Sequence, residues 1–116
     1  MDGDPGYALQ KLELSVIDLA VGEGDVRSRL SNVHYDHLHV LREQDFPDKF
    51  RREWASIVRA LNAKGPKIDQ DGEVYVGSLP NTLNRIRNKT GAKIASDIVL
   101  LSQNLRAYFD DLSSAP

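Results

Sequence analysis

The sequence predicts a mainly α-helical single domain of four helices, with a short β-hairpin between the third and the fourth. Three observations carry that class. Apolar residues recur at spacings of three and four over most of the chain, the period of one helix face. The stretch "KGPKIDQDGEVYVGS" breaks the period with turn chemistry followed by "EVYV", which has strand character. A last stripe then runs from Leu79 to Leu112.

Residues 1–6 read as a tail, residues 7–112 as the domain and residues 113–116 as a second tail. In the first helix Leu9, Leu12, Val16 and Leu19 share a stripe, which Leu14, Ile17 and Val21 widen. The helix should stop at Gly22, because glycine enters the left-handed conformation without penalty. Asp25 is the expected N-cap of a second helix carrying Val26, Leu30, Val33, Leu38 and Leu41 on one broad arc. Asp45 is the expected cap of a third, with Pro47 in its first turn. Phe50, Trp54, Ile57 and Leu61 make this the clearest amphipathic segment, and Asp48 and Arg52 at i, i+4 should add about 0.2–0.5 kcal/mol.

Gly65-Pro66 ends the third helix, and Gln70-Asp71-Gly72 is the hairpin turn. Ser78 is the expected cap of the final helix, with Pro80 inside its first turn. Leu79, Leu83, Ile86, Thr90, Ile94, Ile98, Leu101, Leu105, Phe109 and Leu112 advance 33 residues in nine steps, a mean spacing near 3.7. That phase passes through Gly91 and predicts one unbroken helix of about 45–50 Å. A compact domain of this size is only about 26–30 Å across. The far end should therefore bend back or meet another subunit, and Leu101, Leu105, Tyr108 and Phe109 are the candidate homodimer contacts. The expected core is Leu12, Val16, Leu30, Leu41, Phe50, Trp54, Ile57, Leu61, Leu83, Ile86, Ile98 and Leu101.

Composition narrows the function. The 116 residues are 41% apolar and 28% charged, as in an ordinary globular domain. The longest apolar run, Ile98 to Leu101, is far short of the roughly 20 residues of a membrane span. The acidic start "MDGDPGY" lacks the pattern of a signal peptide. There is no cysteine, which excludes thiolate catalysis, disulfides and cysteine zinc sites, and a cytoplasmic location is the simplest fit.

Net charge is −2, unevenly distributed. Residues 1–25 carry −5, residues 26–66 carry +3, residues 67–78 carry −2 and residues 79–116 carry +2. No acid lies between Glu73 and Asp97, and there Arg85, Lys89 and Lys93 are spaced by four, with Arg87 and Asn88 beside them. Such a stripe suits phosphates, with Asn84 and Asn88 able to reach bases or sugars. It equally suits an acidic protein surface, which the first 25 residues could supply, or plain solvation with Lys93 meeting Asp97.

Three helices, a hairpin and a long last helix is an order that resembles winged-helix DNA-binding domains with a dimerisation helix. "FRREWASIVRALNAKGPKIDQDGEVYVGS" is similar to the third helix, wing turn and returning strand of such a domain, over part of the chain. The resemblance implies that Lys49, Arg51, Arg52 and Arg59 lie on or near the groove-reading helix, with Lys64 and Lys67 near the wing. The tip "DQDGE" departs from it, placing three acids where phosphates would pass.

In "HYDHLH" His34 and His37 share a helix face, whereas Asp36 and His39 point elsewhere, so two ligands fall short of the three or four zinc needs. A partly buried histidine pair should instead weaken packing when protonated below about pH 6.5. "GEGD" lacks the glycine-lysine pattern of a phosphate loop and reads as a helix end followed by a cap. "DQDGE" lacks calcium-loop spacing. No nucleophile–base motif is recognisable. The expectation is a non-enzymatic binding or regulatory module, without metal or cofactor, acting through protein contacts and self-association. A small winged-helix-like DNA-binding regulator using helix three or four is the alternative.

Overall fold

The computed structural model describes residues 3–114. Five α-helices form, not four: α1 (Pro5–Val21), α2 (Val26–Asp36), α3 (Arg51–Leu61), α4 (Ser78–Arg85) and α5 (Asn88–Ser114). Three single-turn 3-10 segments, Leu38–Val40, Glu43–Asp45 and Asp48–Phe50, link α2 to α3. The hairpin pairs β1 (Lys67–Ile68) antiparallel to β2 (Val74–Val76), with Lys67 opposite Val76, Ile68 opposite Val74 and a register irregularity between them.

The chain is ordered ahead of the expected start. Asp4 caps α1 by accepting from Gly6 N at 2.9 Å and Tyr7 N at 3.3 Å. Gly3 donates to the Gln44 carbonyl at 2.8 Å, which fastens this end to the α2–α3 linker. Residues 3–6 therefore belong to the domain, and α5 includes Ser113 and Ser114; residues 1, 2, 115 and 116 of the expected tails lie outside the described residues. At the far end of α1, Gly22 is extended (φ −66) and not left-handed, a correction to the capping argument. What requires glycine there is space, since a Cβ would lie 2.7 Å from the Asp18 carbonyl oxygen. The left-handed residue is Gly24 (φ 83). Asp25 caps α2 as expected, accepting from Ser28 N at 3.0 Å.

α2 stops at Asp36, short of Leu41. Leu38, Leu41 and Phe46 are all buried, and the 3-10 turns fold them inward one after another. Phe46 stacks on Trp54 with ring centroids 5.1 Å apart. Asp45 caps this linker through Arg42 N at 2.9 Å, not α3, and Pro47 precedes the turn leading into α3. Asp48 pairs with Arg51 at 2.7 Å in place of the expected Arg52.

The long last helix is broken. Ile86 is extended (ψ 158) and buried, and α5 restarts at Asn88 after this two-residue corner. Apolar periodicity records which residues are buried, not whether they share an axis, so the stripe runs through the corner unaltered. Gly77, not Ser78, occupies the N-cap position of α4. Gly91 closes the α5–α2 contact: a Cβ there would lie 2.9 Å from Val26 Cγ1.

α5 is the spine, about 40 Å long, against which α1, α2 and α3 pack. One apolar core includes every expected residue except Val16, which is only half-buried. The hairpin root is clamped to α4: Thr82 Oγ1 accepts from Lys64 N at 3.0 Å, and Asn81 Nδ2 donates to the Gly65 carbonyl at 2.8 Å. Its outer residues Ile68, Val74 and Tyr75 are exposed. The molecule measures 61 × 34 × 19 Å. Among the described residues no helix is long and apolar enough to cross a membrane.

Candidate functional site

The basic positions fall on separate elements. Arg85 ends α4, Arg87 lies in the corner, and Asn88, Lys89 and Lys93 follow on the first turns of α5; all are exposed. The break means that Arg85, Lys89 and Lys93 do not form one helical stripe. The corner is held by Arg27, whose Nη1 donates to the Ile86 carbonyl at 3.2 Å while Nη2 holds Asp25 at 3.0 Å. Lys93 binds Asp97 at 2.6 Å. Arg85, Arg87 and Lys89 make no ion pair among the described residues. Beside the corner, a groove of about 460 Å³ between α2 and α4 is floored by Ser28, Ser31, Asn32 and Asn84.

On α3 the three arginines divide. Arg51 turns back onto the linker, with Nε donating to the carbonyls of Phe46 at 2.9 Å and Glu43 at 3.1 Å, so it staples the 3-10 turns. Arg52 and Arg59 are exposed and seven residues apart, hence on one face. At the hairpin tip Asp69 is folded into the turn, its Oδ1 accepting from the amides of Asp71 and Glu73, both at 2.9 Å.

His34 and His37 are separated in role. His37 Nε2 meets Asp18 Oδ2 at 2.6 Å and ties the end of α2 to α1. Its Nδ1 is enclosed and makes no hydrogen bond within the described residues. His34 lies edge-on to Tyr35 and 6.3 Å from the His39 ring. Burial, then the nearby His39, holds the His34 imidazole below its ordinary pKa. Among the described residues no three histidine or acidic side chains converge as metal ligands.

The expected dimer contacts lie largely inside. Leu101 and Leu105 are 2% and 0% exposed, within the core of their own chain. Tyr108 is half-buried, edge-on to Phe50 with centroids 5.7 Å apart and to Phe109 at 5.8 Å; Lys49 Nζ stands 5.0 Å over its ring. Here α1 reaches α5 through Glu13 and Arg106, and Phe50 of the linker meets Tyr108, while Leu112 beyond them is exposed.

Of the five described acids among the first 25 residues, four are already engaged and Glu23 is exposed. Asp4 and Asp25 cap helices, Asp18 holds His37, and Glu13 takes two hydrogen bonds from Arg106, at 2.6 and 3.0 Å. Glu13 in turn holds the Arg106 guanidinium above its ordinary pKa.

One surface escapes the sequence argument. The core face of α1 is Ala8, Leu9, Leu12, Ser15 and Leu19. At 100° per residue, Tyr7, Leu14, Ile17 and Val21 lie on the opposite side, and all four are exposed, Ile17 at 56% and Val21 at 73%. They mark a second apolar stripe, not the widening of the first. The signal was present, because positions 7, 10, 14, 17 and 21 follow the alternating three–four spacing of a heptad seam. Leu14 and Ile17 of this stripe, with Leu9, Gln10, Glu13 and Arg106, line a groove of about 270 Å³.

No family model, curated protein or solved structure matches the chain.

Proposed function

We infer that the chain is a small non-enzymatic binding module that acts through protein contacts and associates with itself. The outer stripe of α1 carries this reading. A helix normally buries one apolar face; α1 has one in the core and a second, Tyr7, Leu14, Ile17 and Val21, facing solvent. Contiguous exposed apolar surface marks contact sites in soluble proteins. A cytoplasmic setting fits a chain without cysteine. Light scattering from about 1 to about 100 μM tests the reading, a range set by the weak association expected of one helix face. Mass should climb from monomer toward dimer; monomer throughout would refute self-association.

A second reading, a nucleic-acid-binding regulator, is favoured by Arg85, Arg87 and Lys89 at the α4–α5 corner, exposed and without an ion pair among the described residues. Arg52 and Arg59 on α3 are the other exposed candidates. Anisotropy of a labelled random duplex at about 50 and about 200 mM salt separates the two, because phosphate binding falls by orders of magnitude over that range. No binding at the lower salt would exclude it.

A further inference from the structure

Resting on the self-associating reading above, we propose that α1 pairs antiparallel with α1 of a second copy, through the seam Gln10, Leu14, Ile17 and Val21. Position chemistry selects both the occupant and the direction. In heptad terms Tyr7, Leu14 and Val21 take one seam position, and Gln10 and Ile17 the other. The antiparallel register sets Leu14 against Ile17 of the second copy and Gln10 against Val21 of the second copy. The two-fold axis passes between Ser15 and Val16, so the contact is isologous and closes at two chains.

The flanking charges fit this register. Lys11 faces Asp18 of the second copy, and symmetry repeats the pair. Lys11 has no ion pair among the described residues; its ammonium stands 5.5 Å over the Tyr7 ring. Asp18 uses Oδ2 for His37, and its side chain remains 43% exposed. On the other flank Glu13, held by Arg106, meets Ala20 of the second copy. A parallel pair would instead set Lys11 against Gly6 of the second copy and leave its ammonium without an acidic partner. One short helix pair buries less than the roughly 1,200–2,000 Å² of a stable interface, so the dimer is weak, on the order of micromolar or weaker.

The absence of native cysteine makes the test direct. Gln10→Cys and Val21→Cys change exposed side chains only. Mixed and oxidised, the two variants should give a disulfide dimer containing one of each, whereas neither should cross-link alone. Lys11→Glu should weaken association several-fold. Gln10→Cys cross-linking to itself would establish a parallel pair and overturn the register, as would unchanged association of Lys11→Glu. A wild-type dimer whose mixed variants fail to cross-link would overturn the α1 seam while leaving self-association standing. A wild-type monomer at about 100 μM would overturn both.

Discussion

Arg106 on α5 holds Glu13 on α1 through two hydrogen bonds, Nη2 to Oε1 at 2.6 Å and Nε to Oε2 at 3.0 Å, across 93 positions of sequence. The fork pairs both carboxylate oxygens at once. It also sits beside the outer stripe of α1, so the flank of the proposed contact is already neutralised by its own chain. Both side chains are open to solvent, and salt screens such pairs. Arg106→Ala should lower the melting temperature slightly at low salt, with the difference fading as salt rises. A large, salt-independent loss would assign Arg106 a packing role instead.

Gly91 provides a test of the α2–α5 contact. Alanine would gain roughly 1 kcal/mol of helix propensity, yet its Cβ would lie 2.9 Å from Val26 Cγ1. The branched valine cannot swing aside cheaply, and overpacking costs about 1–3 kcal/mol. Gly91→Ala should therefore be destabilising in chemical denaturation, and Val26→Ala in the same chain should restore part of the loss. A stabilised single variant would show that the contact is loose.

Leu105 and Leu14 should respond oppositely to truncation. Leu105 is fully buried, so Leu105→Ala should cost about 2–5 kcal/mol of folding stability. Leu14→Ala removes an exposed side chain and should leave the fold within about 0.5 kcal/mol of wild type while weakening association. Denaturation at low protein concentration, paired with a mass measurement, reads the two effects separately.

His34 predicts a pH dependence. Its folded pKa lies below the ordinary value of 6.5, so the unfolded chain takes up a proton first as pH falls. Its contribution is intact above pH 6.5 and is lost as pH drops through the lower folded value. The groups around it are Tyr35, His39, Trp54 and Asn62, and none of them is acidic. His34→Gln should make stability flatter between about pH 7 and pH 5. An unchanged slope would move the effect to another group.

Much of the core was legible because burial leaves a periodic trace: Trp54, Ile57 and Leu61 read correctly as one face. The same trace misled at Ile86. The Arg27 side chain holds the corner there by reaching a carbonyl 59 positions away, and no local period encodes that contact. Spacing placed Leu101 in the core, but it could not say that Leu105 would be covered by its own chain as well. The α1 stripe was visible as letters, but merging it with the core face hid it. Separating the two required knowing which side α5 occupies.

Sedimentation of the wild-type chain beside Ile17→Glu decides whether α1 carries the self-association, because Ile17 lies mid-seam and is exposed, so the glutamate leaves the core untouched. The wild type should shift from monomer toward dimer with concentration, and the folded variant should remain monomeric. A variant that dimerises as well as wild type would contradict that role for α1.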